Sequence, residues 1–284
     1  MIGLYNVDPV IQRRLSESSY DVKKLDDTDN FPKLDGIFID WTGHTKNKTY
    51  TKQVALTDHY RKDIPIMIYD RYMSIKTKEY EYLKKYNVSF YEPVLYHRDG
   101  FKYMPQWLKP LSEDTDTDNT TIDLGYKGYL KDKYRSFNNY FGKVGDTFDY
   151  TVRYDSNVPK KITDKYKSIG IKKSGLGWSD VRFTIAIDTE ENYKKGHIAP
   201  FVLNALSHGC VVLLPIEHKY FGNLFLNLVV KHEYDVNYHL QGFRKASIRR
   251  VVVEEVYENI EKFYPEFTID YTIDIIKENM KKEG

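Results

Sequence analysis

Two aspartates in the first half and a set of cations in the second have the types and spacing to do chemistry. Asp70 closes the apolar run 64–69 and is followed at once by Arg71, while Asp40 ends the run GIFID and opens Asp40-Trp41-Thr42-Gly43-His44. A carboxylate in a cleft can take a proton from a substrate hydroxyl within hydrogen-bond reach. Arg71 beside Asp70 would lower its proton affinity, so proximity rather than intrinsic basicity has to carry such catalysis. In the second half Lys127, Lys131, Arg135, Lys194, Lys195 and His197 have the charge to hold an anion. The favoured seat is Gly196 to Ile198, read as a helix start whose free N–H groups and dipole favour negative charge. Each of these residue types also serves as a helix cap, a loop residue or a solvated surface charge.

The elements that must position them alternate. In the first half strands are expected at 2–7, 20–25, 36–39, 64–69 and 88–91, with helices from Asp8-Pro9 through 18, over 48–61 and over 76–86. Asp8 suits an N-cap and Pro9 a first helical position. The βαβαβ order predicts a parallel, doubly wound sheet, in which ligands bind at the carboxyl ends of the strands. Asp40, Thr42, His44, Asp70 and Arg71 all fall on that edge.

The polar stretch 112–121, SEDTDTDNTT, reads as a linker. Its alternating aspartates resemble the start of a calcium loop, but Asn119 and Gly125 stand where such a loop needs Gly and Glu. The pattern then restarts, with strands at 122–126, 149–154 and 182–187 and helices at 131–143 and 159–169. A polar loop over 189–195 leads to GHIAPFVLNALSHGCVVLLP, a helix entering an unbroken apolar strand, as in parallel sheets covered on both faces. Helices at 247–259 and 269–282 follow. The predicted organisation is an α/β protein with a first domain at 1–111, a linker at 112–121, a second domain at 122–264, and a final helix, 265–284, crossing back to the first.

Composition narrows the function classes. A net charge of +2 gives no bulk drive towards nucleic acid or membrane, so an anionic partner must be met by a local patch. One cysteine, Cys210, excludes an intrachain disulfide and a cysteine-based metal cluster. There is no signal-peptide pattern and no long apolar run, so a soluble, cytoplasmic monomer is expected.

Two Rossmann-like halves facing each other across a cleft, with a strand-loop-helix-Gly-strand unit in the second, resemble the GT-B glycosyltransferases, most similarly the phage DNA β-glucosyltransferases. IPIMIYDRYM is similar to that family's strand ending in its catalytic aspartate, which implies Asp70 as general base, with Asp40, Trp41, Thr42, His44 and Arg71 on the acceptor side. DLGYKGYLKDKYRS resembles the strand and turn that grip the donor diphosphate, implying Lys127, Lys131 and Arg135. IAIDTEENYKKGHIAPFVLNALSHGCVVLLP resembles the donor-site helix, implying Asp188, Lys195, Gly196, His197 and Asn204. The family's arginine and glutamate on that helix are replaced by Phe201 and Asn204.

The resemblance implies transfer of a sugar, glucose first, from UDP-glucose to a 5-hydroxymethylcytosine or 5-hydroxymethyluracil flipped out of double-stranded phage DNA. Trp41, Tyr72, Trp107, Arg98 and Lys102 are then candidate DNA contacts. No ligand motif for a divalent metal stands out. Two alternatives stay open: a GT-B enzyme acting on protein, polysaccharide or a small molecule, and a non-catalytic nucleotide- or DNA-binding protein on the same frame.

Overall fold

The structure is a computed structural model describing residues 1–18, 20–26, 32–41, 48–60, 62–85, 87–112, 120–127, 133–141, 150–153 and 177–280, with side chains left out at 48–51, 127, 134 and 150–153. The expected helix at 159–169, the aspartates of the 112–121 stretch, and Thr42, His44, Lys131 and the Lys127 side chain lie outside the described residues. The chain divides into two compact units, Met1–Trp107 with Glu266–Gly284, and Leu108–Pro265.

In the first unit β1 (Ile2–Tyr5), α1 (Pro9–Glu17), β2 (Val22–Leu25), β3 (Gly36–Asp40), α2 (Lys48–Tyr60), β4 (Ile66–Tyr69), α3 (Thr77–Leu83), β5 (Val88–Glu92) and β6 (Phe101–Tyr103) follow one another. The sheet order is β2-β1-β3-β4-β5-β6, with every described pairing parallel. Strand side chains alternate between faces, and both faces here are buried. Ile37, Ile39, Ile66 and Ile68 join Leu56, Tyr60 and Leu83 on one face. Phe38, Met67 and Tyr69 join Ile11 and Leu15 on the other. The second face is completed by the last helix, which is separated in sequence from β6 by the whole of the second unit, Leu108–Pro265, so proximity in sequence plays no part in its docking. Its stripe of Ile269, Ile273, Ile276 and Met280 enters that core, a helical spacing that leaves its polar residues outward.

The second unit contains β7 (Ile122–Lys127), α4 (Tyr134–Tyr140), β8 (Tyr150–Arg153), β9 (Val181–Ile185), α5 (Glu190–Lys195), α6 (Pro200–Leu206), β10 (Val211–Pro215), β11 (Val229–Val230), α7 (Glu233–Gly242) and α8 (Ala246–Phe263); α9 (Ile269–Met280) is the helix that returns to the first unit. Its sheet runs β11-β10-β9-β7-β8, again parallel. All of β10 is buried, as its unbroken apolar run predicts. Segment 108–112 packs with this unit: the Ser112 N–H donates to the Ser207 carbonyl at 3.0 Å, and the Tyr257 hydroxyl to the Lys109 carbonyl at 2.8 Å. Thr120 is buried as well, its hydroxyl and carbonyl taken by Arg182.

Candidate active site

Both sheets place one strand on each side of the strand that comes first in their unit, so the direction of winding reverses beside β1 and beside β7. At such a reversal the loops leaving neighbouring strands diverge and open a crevice at the strand ends. Asp40 stands there in the first unit and Asp188, just past β9, in the second.

Around Asp40 the backbone is pinned from two sides. Its carbonyl accepts from the Asn6 side chain at 2.9 Å and from Gln53 at 3.0 Å. Asn6 has φ 57, a left-handed conformation that asparagine tolerates, and this turns the chain sharply after β1. The Asp40 carboxylate pairs with Arg71, whose guanidinium lies 4.9 Å from the Trp107 ring. Burial pushes the Asp40 carboxyl up to about 7, with Arg71 pulling it down and the charges of Asp8 and Asp70 pushing it further up.

Asp70 is organised differently. It is 0% exposed, and its carboxylate accepts from the Ser74 N–H and hydroxyl, both at 2.8 Å, the Ile75 N–H at 2.8 Å and the Arg98 guanidinium at 2.9 Å. The expectation that Arg71 tunes Asp70 is corrected: Arg71 reaches Asp40, and the cation on Asp70 comes from Arg98. Arg98 also binds Glu92, donates to the Ile75 carbonyl and packs 4.0 Å over Phe101. Its guanidinium is therefore committed to partners within the unit, although the side chain stays 36% exposed. Trp41 and Trp107, each 1% exposed, are core residues and present no ring for base stacking, whereas Tyr72 is exposed.

In the second unit the segment expected as a polar loop over 189–195 is the helix α5. Thr189 caps it, accepting from the Asn192 N–H at 3.2 Å. Glu190 and Glu191 occupy its first turn and Lys194 and Lys195 its last, matching the helix dipole and pairing one turn apart. Thr-Glu-Glu followed by Lys-Lys-Gly carried this signal in the sequence. Gly196, with φ 66, ends that helix in the left-handed conformation and does not open the next one. The expected anion seat at a helix start is corrected accordingly: α6 begins at Pro200, and Lys194, Lys195 and His197 precede it. Lys195 is occupied by Glu191, and Arg135 is exposed on α4. Asn204 is half-buried on α6, its carbonyl accepting from Ser207.

The charged centre of this unit is Asp188. Burial alone would raise its carboxyl, but the hydrogen bond with His197 and the charge of Lys133 outweigh that and hold it well below the usual carboxylate range. Nδ1 of His197 lies 2.7 Å from Oδ2. Lys133 Nζ at 2.9 Å and the Asn192 amide and Thr189 N–H, both at 2.8 Å, surround Oδ1. Nε2 of His197 is buried with no partner among the described residues. Lys133 also stands 6.0 Å from the Phe201 ring, and that ring stacks on Trp178 at 6.2 Å and meets Tyr126 edge-on at 5.3 Å. Sequence reading named Lys131 and Arg135 and missed Lys133 between them, because closely spaced cations at a helix start look alike in sequence and only tertiary packing brings Lys133 to Asp188.

No family model matches the sequence, and no curated protein sequence does. Solved structures do match. T4 phage BGT in complex with UDP and Mn2+ aligns over 99% of this chain and 99% of its own at 10% identity with a TM-score of 0.62. The same protein with its UDP-glucose substrate aligns over the same shares at 11% identity, also at 0.62. An alpha-glucosyltransferase in complex with UDP and a 13-mer DNA containing a HMU base aligns over 97% of this chain and 99% of its own at 11% identity and 0.55. Two parallel, Rossmann-like sheets in one polypeptide, matched along nearly its whole length, give this chain the GT-B glycosyltransferase fold, and in that fold it resembles the phage DNA glucosyltransferases.

Proposed function

We propose that this protein transfers a sugar, glucose in the first instance, from a UDP-sugar to the hydroxyl of a 5-hydroxymethylpyrimidine in double-stranded DNA. The observation that carries this reading is the match over 99% of both chains to a protein solved with UDP and with UDP-glucose, joined by one solved with UDP and DNA. The local chemistry supports it. Lys133, His197 and Asp188 form the charged cluster at the strand ends of the second sheet, where a nucleotide diphosphate would be held. Where the resemblance places an arginine this chain has Phe201, and Lys133, the N-cap of α4, delivers a cation beside that ring. Arg135 and Asn204 complete the proposed donor contacts, with Lys127 and Lys131 added from the sequence resemblance alone. A carboxylate at the strand ends of the first sheet takes the proton from the incoming hydroxyl. The departing diphosphate carries the negative charge that the cations stabilise. Among the described residues no three His, Cys, Asp or Glu side chains are grouped to hold a metal ion, and no step here runs through one.

A thermal-shift panel of nucleotide sugars, followed by radiolabel transfer to duplexes containing 5-hydroxymethylcytosine or 5-hydroxymethyluracil, tests this reading. The expected result is stabilisation by a UDP-sugar and label on DNA. Stabilisation without transfer to any acceptor would favour a non-catalytic nucleotide binder, the reading that Phe201 in its aromatic packing supports. Label on protein, polysaccharide or a small molecule in place of DNA would move the acceptor and keep the enzyme.

A further inference from the structure

We propose that Asp40, and not Asp70, is the carboxylate that deprotonates the acceptor hydroxyl, and that Asp70 anchors the turn after β4. The assignment rests on the transferase reading above and sharpens its acceptor side.

The first argument is occupancy. A carboxylate has about four acceptor positions, and Asp70 receives four donors: the Ser74 N–H, the Ser74 hydroxyl, the Ile75 N–H and Arg98. To accept a substrate proton it would have to surrender one of them inside a region where it is 0% exposed, leaving a buried donor unpaired. Asp40 binds Arg71 through Oδ2, and Oδ1 has no donor among the described residues. The second argument is place. Asp40 ends β3 beside the point where winding reverses, the position at which α/β sheets open a ligand crevice; Asp70 ends the next strand outward. The third is pre-organisation. Asn6 and Gln53 hold the Asp40 carbonyl, and the Trp41 N–H donates to the Tyr69 carbonyl at 2.8 Å, so the carboxylate is carried on a rigid main chain.

Among the described residues, the groups facing Asp40 are Arg71 and Asp70 from the end of β4, Tyr69 within it, and Asp8 at the start of α1. Burial and the two carboxylates raise its proton affinity to about 7, against the pull of Arg71. That is the range in which a base is ionised at neutral pH and still holds a proton once it has one. In the step, the hydroxyl oxygen bonds to the anomeric carbon and its proton passes to Asp40. The bond from the anomeric carbon to the diphosphate oxygen breaks, with its electron pair leaving on the nucleoside diphosphate. The neutral Asp40 then returns the proton to water.

The test compares wild type, Asp40→Asn, Asp70→Asn and Arg71→Gln in single-turnover transfer from pH 5 to pH 9, with circular dichroism and UDP affinity measured alongside. Asp40→Asn is expected to lose roughly 10²- to 10⁴-fold in rate, to bind UDP as wild type does, and to lose the acid limb that wild type shows near pH 7. Arg71→Gln is expected to move that limb to higher pH, which a purely structural role would not do, and it decides the matter if Asp40→Asn does not fold. Asp70→Asn is expected to melt earlier and to keep the limb. A folded Asp70→Asn that loses both rate and limb while Asp40→Asn keeps them overturns the assignment and spares the transferase reading. A wild type that transfers no sugar at all removes that reading, and this assignment with it.

Discussion

His218 is 3% exposed just beyond β10, with Nε2 3.0 Å from the Ala186 carbonyl and its ring edge-on to Tyr193 at 4.5 Å. Nε2 therefore carries the hydrogen, and Nδ1 is a bare acceptor, buried with no partner among the described residues. A second proton would place a charge and an unpaired N–H in the interior, and burial accordingly lowers the imidazole from 6.5 to about 4, against the opposing pull of Asp188 and the Ala186 carbonyl. At about 1.4 kcal/mol for each tenfold change in proton affinity, that gap is worth about 3 kcal/mol. The unfolded chain takes the proton first, so this stability is fully present above about pH 6.5 and is lost as pH falls towards 4. Asp40, raised to about 7, has the opposite slope in the same range, because its folded form holds the proton more tightly. The informative quantity is therefore the difference between wild type and His218→Gln, whose amide can keep the Ala186 hydrogen bond. Urea unfolding followed by circular dichroism at pH 7.5 and pH 4.5 is expected to show wild type losing about 2 kcal/mol or more relative to the variant. Parallel stability curves, or a His218 imidazole signal titrating near 6.5 by NMR, would refute the reasoning.

Two further perturbations probe the first unit. Arg98→Met leaves the buried carboxylates of Asp70 and Glu92 without their cation and is expected to cost about 3 kcal/mol in urea unfolding; a loss below about 1 kcal/mol would mean that the cation contributes little. Gly36→Ala drives its new methyl into the Met280 sulfur of α9 and is expected to cost about 1–3 kcal/mol. Shortening the opposing side chain in Gly36→Ala/Met280→Ala is expected to cost less than the two single changes together. Strict additivity would show that α9 does not press on β3.

The elements were largely legible from local pattern. The unbroken run Cys210 to Leu214 announces a strand covered on both faces, and β10 is buried throughout. The stripe of isoleucines in α9 marks a helix with one apolar face, and Asp8-Pro9 marks the start of α1, where the carboxylate accepts from the Val10 N–H at 3.0 Å. The short strand β6 carries too few residues to show a period and was not expected. At 189–195 the polar composition suggests a loop, yet the segment is a helix, because the Thr189 cap and the order of its charges stabilise a short helix that buries little apolar surface.

What the sequence by itself determined is which segments become strands and helices and which residues arrive at the strand ends, because both follow from the period of apolar residues and from backbone chemistry acting over a few positions. Only the tertiary structure decided their partners. Arg71 adjoins Asp70 in the chain yet pairs with Asp40, and Asp70 takes Arg98 from 28 residues away; Lys133 reaches Asp188 across 55 residues of chain. A side chain's charge state and availability depend on burial and on donors contributed by other strands, and those are set by sheet order and packing rather than by neighbours in sequence.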